Sequence, residues 1–460
     1  MTPLGILLTV ILILGVLSLP RVGAALTVIA AVCYITQGQQ YTLFGFHFTA
    51  VRIVLLAGVI RMLVRGEFRS WRLSGIDWAL LGYACSMSIV SVLRVGTSEE
   101  LVYRLGCAYD VLLSYWLFRA LLVDMGDLRR FLQAIAILIV PLAIEMIFEH
   151  FTRRSVFEVF GGIGELTIRA GRPRCEGAFR SGITAGVFGA TLLPLFLGLY
   201  NTIMRRIAII GLISAAVITY TSNSSGPLIA FLSGIVGWLF WPWRRGMKTV
   251  RWGILAALVG LHVSMKVPVW FIISKMADLT GGDGWHRSYL IDQAIRHFPD
   301  WWLMGTSQTR DWMPTVLVDG QADLTDLYVS AGTGGGLIAL VFLVLILVRC
   351  FRSLGQSIEQ VRERAVEETA ARPELLEAEK MLWCLGCALF AHVVTLFSVT
   401  YFDQMHVVWW GLLATISSAT ASVLAIGSRG RIEDESAEEE MTFGELSAST
   451  EPFAFRAGEL

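Results

Sequence analysis

Four arginines, Arg169, Arg172, Arg174 and Arg180, crowd into one short stretch of an otherwise apolar chain. A guanidinium presents a planar fork of donors that suits phosphate oxygens in pairs. Beside a membrane such a cluster can form a cationic pocket for a lipid diphosphate, or it can be a solvated basic loop touching anionic headgroups. Five more polar residues, Arg52, Asp110, Glu145, His262 and Lys266, fall inside apolar runs, where an unpaired charge is expensive. They read as a proton or ion pathway or as structural pairs. Asp110 is placed to meet Arg52 from a neighbouring span, whereas Arg104 and Asp110 are too far apart in sequence to pair on adjacent turns. Cys384 and Cys387 form a CxxC without a second pair or histidines at zinc spacing, so two small core residues are expected there and no metal site. The other cysteines are scattered, mostly within apolar runs, which argues against a disulfide framework.

The elements that must position these groups follow from hydropathy. Of 460 residues 55% are hydrophobic and 16% charged, and mean hydropathy is +0.64, more apolar surface than a water-soluble fold could hide. Apolar runs near 20 residues imply spanning helices rather than barrel strands, so the expected class is an all-α polytopic transmembrane bundle. Thirteen candidate spans lie near 4–19, 22–38, 47–64, 76–93, 101–120, 131–149, 183–200, 205–221, 226–242, 252–271, 335–351, 381–401 and 406–426. The first run has no basic flank and no small-residue cleavage site before Pro20, so it is expected to be retained as a helix.

Basic residues on alternate connections set the orientation. Arg61 to Arg72, Arg119 to Arg130, Arg205 and Arg206, Arg244 to Arg251, and Arg349 with Arg352 should face the cytoplasm. That leaves 150–182 and 272–334 outside, and the clustered arginines of the first outer segment run against the orientation rule. The transmembrane domain is expected over 1–426, with 272–334 as a large extracytoplasmic loop and 352–380 as a charged cytoplasmic helical arm. The stretch 427–460, with EDESAEEE at 433–440, should be a disordered acidic cytoplasmic tail. Zero net charge points to no nucleic-acid partner. In the large loop Leu290, Ile291, Ala294, Ile295 and Phe298 recur at helical spacing, which predicts an amphipathic helix on the outer membrane surface with Trp301 and Trp302 as interfacial anchors.

Three stretches in fixed order resemble the O-antigen ligase and polymerase family of membrane glycosyltransferases. RPRCEGAFRSGITAGVFGATLLPLF at 172–196 is similar to its Arg-x-x-Gly-x-Phe signature, with Arg174, Gly177 and Phe179 in those places. TSNSSGPLIAFLSG at 221–234 resembles the family's small-residue turn, with Ser225 where arginine is usual. HRSYLIDQAIRHFPDWWLMGT at 286–306 resembles its arginine-led amphipathic helix, with Arg287 leading. The resemblance covers about 170 residues, from 172 to 340.

The resemblance implies transfer of a glycan from an undecaprenyl-diphosphate carrier to an acceptor glycan hydroxyl, without cofactor or metal. It places the chain in the bacterial inner membrane in surface-polysaccharide or exopolysaccharide biosynthesis, alongside other polysaccharide-assembly proteins. Arg174 and Arg287 are the expected clamp on the leaving diphosphate, with Arg180 in reserve. Substrate contacts are expected from Arg172, Arg180, Ser225, Trp285 and His286. Ligases of the family carry a His-Asn pair before the next span; here Thr325 and Asp326 stand in its place. Asp326, with Asp323 beside it, is the candidate base, His286 and His297 are alternatives, and a plain helix cap is the competing role. A secondary transporter or flippase, or a non-catalytic component of a polysaccharide-assembly complex, are the rival readings.

Overall fold

The computed structural model describes residues 2–43, 46–68, 73–162, 164–169, 171–200, 204–275, 284–314, 317–318, 320–368 and 370–424. The acidic stretch at 427–460, Arg69 and Arg72 lie outside the described residues. The chain is an all-α polytopic helical bundle. Helices α1 (Pro3–Ser18), α2 (Arg21–Tyr34), α3 (Ala50–Arg65), α4 (Gly75–Val95) and α5 (Ser98–Leu121) come first. They are followed by α6 (Met125–Leu138), α7 (Val140–Thr152), α8 (Gly182–Leu199), α9 (Arg205–Thr221), α10 (Ser225–Leu239) and α11 (Met247–Ser264). Helix α12 (Gly284–Arg296) lies in the large loop, and α13 (Leu327–Glu367), α14 (Arg372–Thr395) and α15 (Gln404–Leu424) close the bundle. The strands are short antiparallel pairs: β1 (Gln40–Leu43) with β2 (Phe46–Thr49), β3 (Ile168–Arg169) with β4 (Arg172–Pro173), and β5 (Leu317–Val318) with β6 (Gln321–Ala322).

Every one of the thirteen apolar runs contains helix, but fewer qualify as spans than the runs suggest. Among the described residues six helices are long and apolar enough to cross a membrane: α4, α6 and α7 together, α8, α13, α14 and α15. Counting α10 and α11, bent by 71°, as one broken span makes a seventh. Helices α1, α2, α3 and α9 have 16, 14, 16 and 17 residues, shorter than the roughly 20 that a bilayer core needs. In α5 the charges Glu99, Glu100, Arg104, Asp110 and Arg119 dilute the apolar run.

At the centre sits α8, apolar all round and almost wholly buried, between α9, α10 and α14. Two glycines let its neighbours approach. A Cβ at Gly186 would lie 2.3 Å from Ser222 Oγ, and one at Gly189 would lie 2.8 Å from the Ala215 carbonyl. Helix α4 packs along α13, and Arg52 grips Asp110 with two bonds of 2.8 and 2.5 Å, joining α3 to α5 as an unpaired charge in lipid would demand. The C-terminal part of α13 and the N-terminal part of α14 pack as a helical hairpin, with the buried Glu379 accepting from Arg244 (2.9 Å) and Arg362 (2.8 Å).

The large loop has its own small core of Leu290, Ala294, Trp301, Trp312, Met313 and Ala322. The single apolar stripe expected on α12 is therefore split: Leu290 and Ala294 turn inward, while Ile295 and Phe298 stay exposed. Trp301 is not an interfacial anchor, because its ring is buried and its Nε1 donates to the Ala294 carbonyl at 2.8 Å. Trp302 is exposed. A polar tryptophan edge that finds a carbonyl can enter a core, and here the α12 C-terminus provides it.

Candidate functional site

The arginine-rich segment is ordered by short-range constraints. Strands β3 and β4 bring Arg169 opposite Arg172, and both are exposed. Arg174 is half-buried and donates from Nη2 to Ser224 Oγ at 3.2 Å, while its backbone N–H donates to the Thr167 carbonyl at 2.9 Å. Asn223, with φ of 44°, turns its Nδ2 to the Pro173 carbonyl at 2.6 Å, so the turn between α9 and α10 is strapped to the arginine strand. Ser225 begins α10 and is half-buried; the contact with Arg174 is made by Ser224, one residue earlier. Glu176 follows Arg174 on the buried side of this segment. Burial, and then the charge of Glu149, push its carboxyl up to about 7, against the opposing pull of Arg174. Arg180 is exposed, ion-paired with Asp403 at 3.3 Å and set over the Phe402 ring.

The second segment supplies the other candidates. Arg287 (7% exposed) and His286 lie on the buried side of α12, which packs against the turn Val269–Phe271, the turn Arg310–Trp312 and the start of α13. Trp285 is 49% exposed and stacks on Tyr289 with ring centroids 4.8 Å apart, an open aromatic face beside Arg287. His297 pairs with Asp300 at 2.8 Å and stacks on Trp312.

Asp326 is 1% exposed and is the N-cap of α13, its Oδ1 accepting from the N–H groups of Tyr328 (2.7 Å) and Val329 (3.0 Å). The capping role is thus real. The carboxylate has a second oxygen, however, and neither Asp326 Oδ2 nor the neighbouring Thr325 Oγ1 has a hydrogen-bond partner among the described residues. Burial pushes this carboxyl up from 3.8 to about 7, against the two capping bonds. A buried carboxyl near neutrality with one unoccupied oxygen can take a proton from a hydroxyl brought against it.

The helix that Asp326 caps is broken after ten residues. Gly336 has φ of 71°, and the exposed backbone is satisfied from outside: Leu337 N–H donates to the Trp302 carbonyl at 2.7 Å, and Thr306 N–H to the Thr333 carbonyl at 2.8 Å. Arg94 of α4 donates to the Met304 and Thr333 carbonyls at 3.0 and 2.8 Å. The loop is thereby fixed to the break.

Sequence reasoning missed the connection 396–403 between α14 and α15, which touches both the arginine-rich segment and the large loop. Leu396 accepts from the Leu327 N–H at 2.9 Å, and Thr400 Oγ1 donates to the Leu324 carbonyl at 2.6 Å, beside Asp326. On its other side Val399 lies against Gly226, and Asp403 takes Arg180. Gln404 then donates from Nε2 to the Ile35 and Ala178 carbonyls at 3.1 and 2.8 Å. One connection therefore ties the arginine segment, the start of α10 and the Asp326 cap into a single scaffold. The only signal for it in the sequence is a polar run, SVTYFDQ at 398–404, between two apolar ones.

Chemically, the arrangement offers guanidinium groups on two segments and a near-neutral buried carboxyl, a set suited to binding an oxyanion and activating a hydroxyl. Among the described residues no group of His, Cys, Asp and Glu side chains is placed to hold a metal ion. No protein-family model matches the chain, and no curated protein matches it.

Proposed function

We propose that the chain is a membrane glycosyltransferase of the O-antigen polymerase or ligase type. It transfers a glycan from an undecaprenyl-diphosphate carrier to an acceptor sugar hydroxyl at the outer face of a bacterial inner membrane, with its C-terminal tail in the cytoplasm. The observation that carries this reading is Asp326: a wholly buried carboxyl, raised to about 7, whose second oxygen has no partner among the described residues. It stands where the resembled family places the pair that activates the acceptor.

In this reaction the acceptor hydroxyl attacks the anomeric carbon, the bond to the diphosphate oxygen breaks, and the hydroxyl proton goes to Asp326 Oδ2. Arg174 and Arg287 bind the departing diphosphate, whose charge grows as the bond opens. Both are withdrawn from bulk water, which strengthens such contacts. Arg172, Arg180 and His286 supply further polar contacts, and Trp285 offers a flat face for a sugar ring. Replacing Arg174 or Arg287 by alanine is expected to abolish polymer formation in cells, and an unchanged product ladder would count against the assignment.

A transporter or flippase remains the second reading, favoured by two specific features. Helix α13 is broken at Gly336, and α10 and α11 bend by 71°. Discontinuous helices of this kind line translocation sites in transporters. Purified protein given a lipid-linked oligosaccharide separates the two, because glycosidic bond formation without a gradient excludes a pure transporter.

A further inference from the structure

The turn that carries Arg174 is gripped by a side chain that no motif marks. Glu149, in the last turn of α7 and 0% exposed, accepts at Oε2 from the backbone N–H groups of Glu176 (2.9 Å) and Gly177 (3.1 Å). Charge-assisted bonds to two amides hold a backbone more firmly than neutral ones. The turn must press close to α7 for this: Gly177 has φ of 56°, and a Cβ there would lie 2.7 Å from Leu142 Cδ1. On the far side Cys175 N–H donates to the Thr221 carbonyl at 3.2 Å, and Gln404 holds the Ala178 carbonyl. Stability alone gives a poor reason for a buried carboxylate here, since an apolar side chain of the same volume avoids its desolvation cost.

We infer that Glu149 is a positioning residue, which fixes the 174–178 backbone so that the Arg174 guanidinium stays on its Ser224 partner and faces an incoming diphosphate. Its effect on rate rests on the glycosyltransferase reading; its effect on the turn does not. The chemistry needed is two acceptor bonds and no proton transfer. Glutamine meets that need, because its side-chain carbonyl accepts from the Glu176 and Gly177 amides as the carboxylate oxygen does.

The test uses the full chain in nanodiscs, with amide hydrogen exchange over 173–180 and turnover of a polyprenyl-diphosphate-linked oligosaccharide. Glu149→Ala should speed exchange at Glu176 and Gly177 and lower turnover, each by about tenfold or more, and Glu149→Gln should stay within about threefold of wild type on both. In an Arg174→Lys background, which keeps the charge and leaves turnover to measure, Glu149→Ala should lower turnover by a clearly smaller factor than in wild type, because it acts through the side chain at 174. A residue that only stabilises the fold would give losses that multiply, and that result overturns the inference. Unchanged exchange in Glu149→Ala overturns it too. Should the alanine variant not fold, Glu149→Asp, which withdraws the carboxylate by one methylene, is read in the same way. Wild-type turnover in Arg174→Ala would sink the glycosyltransferase reading instead, with the exchange still deciding whether Glu149 holds the turn.

Discussion

Replacing Asp326 by asparagine separates its two duties. Asparagine is as good an N-cap as aspartate, so its side-chain oxygen can keep both bonds from Tyr328 and Val329. It also lifts a burden. Raising a carboxyl from 3.8 to about 7 corresponds to about 4 kcal/mol that folding must supply to keep it ionised above neutrality. The sign follows from linkage: a folded pKa above the unfolded one leaves stability intact below pH about 4 and erodes it as pH rises to about 7. Asp326→Asn should therefore unfold at a temperature equal to or above wild type at pH 8, and the difference should shrink by pH 5. Its transfer rate should fall by about two to four orders of magnitude, the usual contribution of a general base. The wild-type rate should rise with pH and level off above about 7, where the carboxyl is ionised. Thermal unfolding and product formation in nanodiscs read both quantities. A variant that is stable and keeps more than half the wild-type rate would refute the reasoning, and leave Asp326 as a cap.

Arg180→Ala should weaken transfer far less than Arg174→Ala, since Arg180 is exposed and already paired with Asp403; equal losses in a product-ladder assay would contradict that ranking. Gly336→Ala should destabilise the protein by about 1 to 3 kcal/mol, because the backbone there is left-handed and a Cβ would lie 2.6 Å from the Leu303 carbonyl; an unchanged melting temperature would refute it. Trp301→Ala should cost about 3 to 5 kcal/mol locally, seen as faster hydrogen exchange across 284–326 with the exchange of α8 unaltered. Glu379→Ala should leave the half-buried Arg244 and Arg362 without the buried carboxylate they share and cost about 1 to 3 kcal/mol, read from thermal unfolding.

Much of the bundle was legible because hydrocarbon is a severe solvent. The apolar runs mark helices, and the cost of a lone charge predicts the Arg52–Asp110 pair. The span count was less legible: an apolar run shows that a segment avoids water, but neighbouring protein serves as well as lipid, as buried α8 beside short α9 illustrates. At the site, the cap role of Asp326 could be read from its place before a helix. Its unpartnered oxygen could not, because that depends on what the 396–403 connection does and does not offer. The grip of Glu149 was invisible for a related reason: its partners are backbone amides, which every residue but proline carries.

Formation of a glycosidic bond is what separates the proposed glycosyltransferase from a transporter. Purified protein in a bilayer without an ion or voltage gradient, given a polyprenyl-diphosphate-linked oligosaccharide and an acceptor glycan, should yield elongated glycan and release the polyprenyl diphosphate. The account is contradicted if the donor crosses the bilayer or stays where it is, and no longer glycan forms.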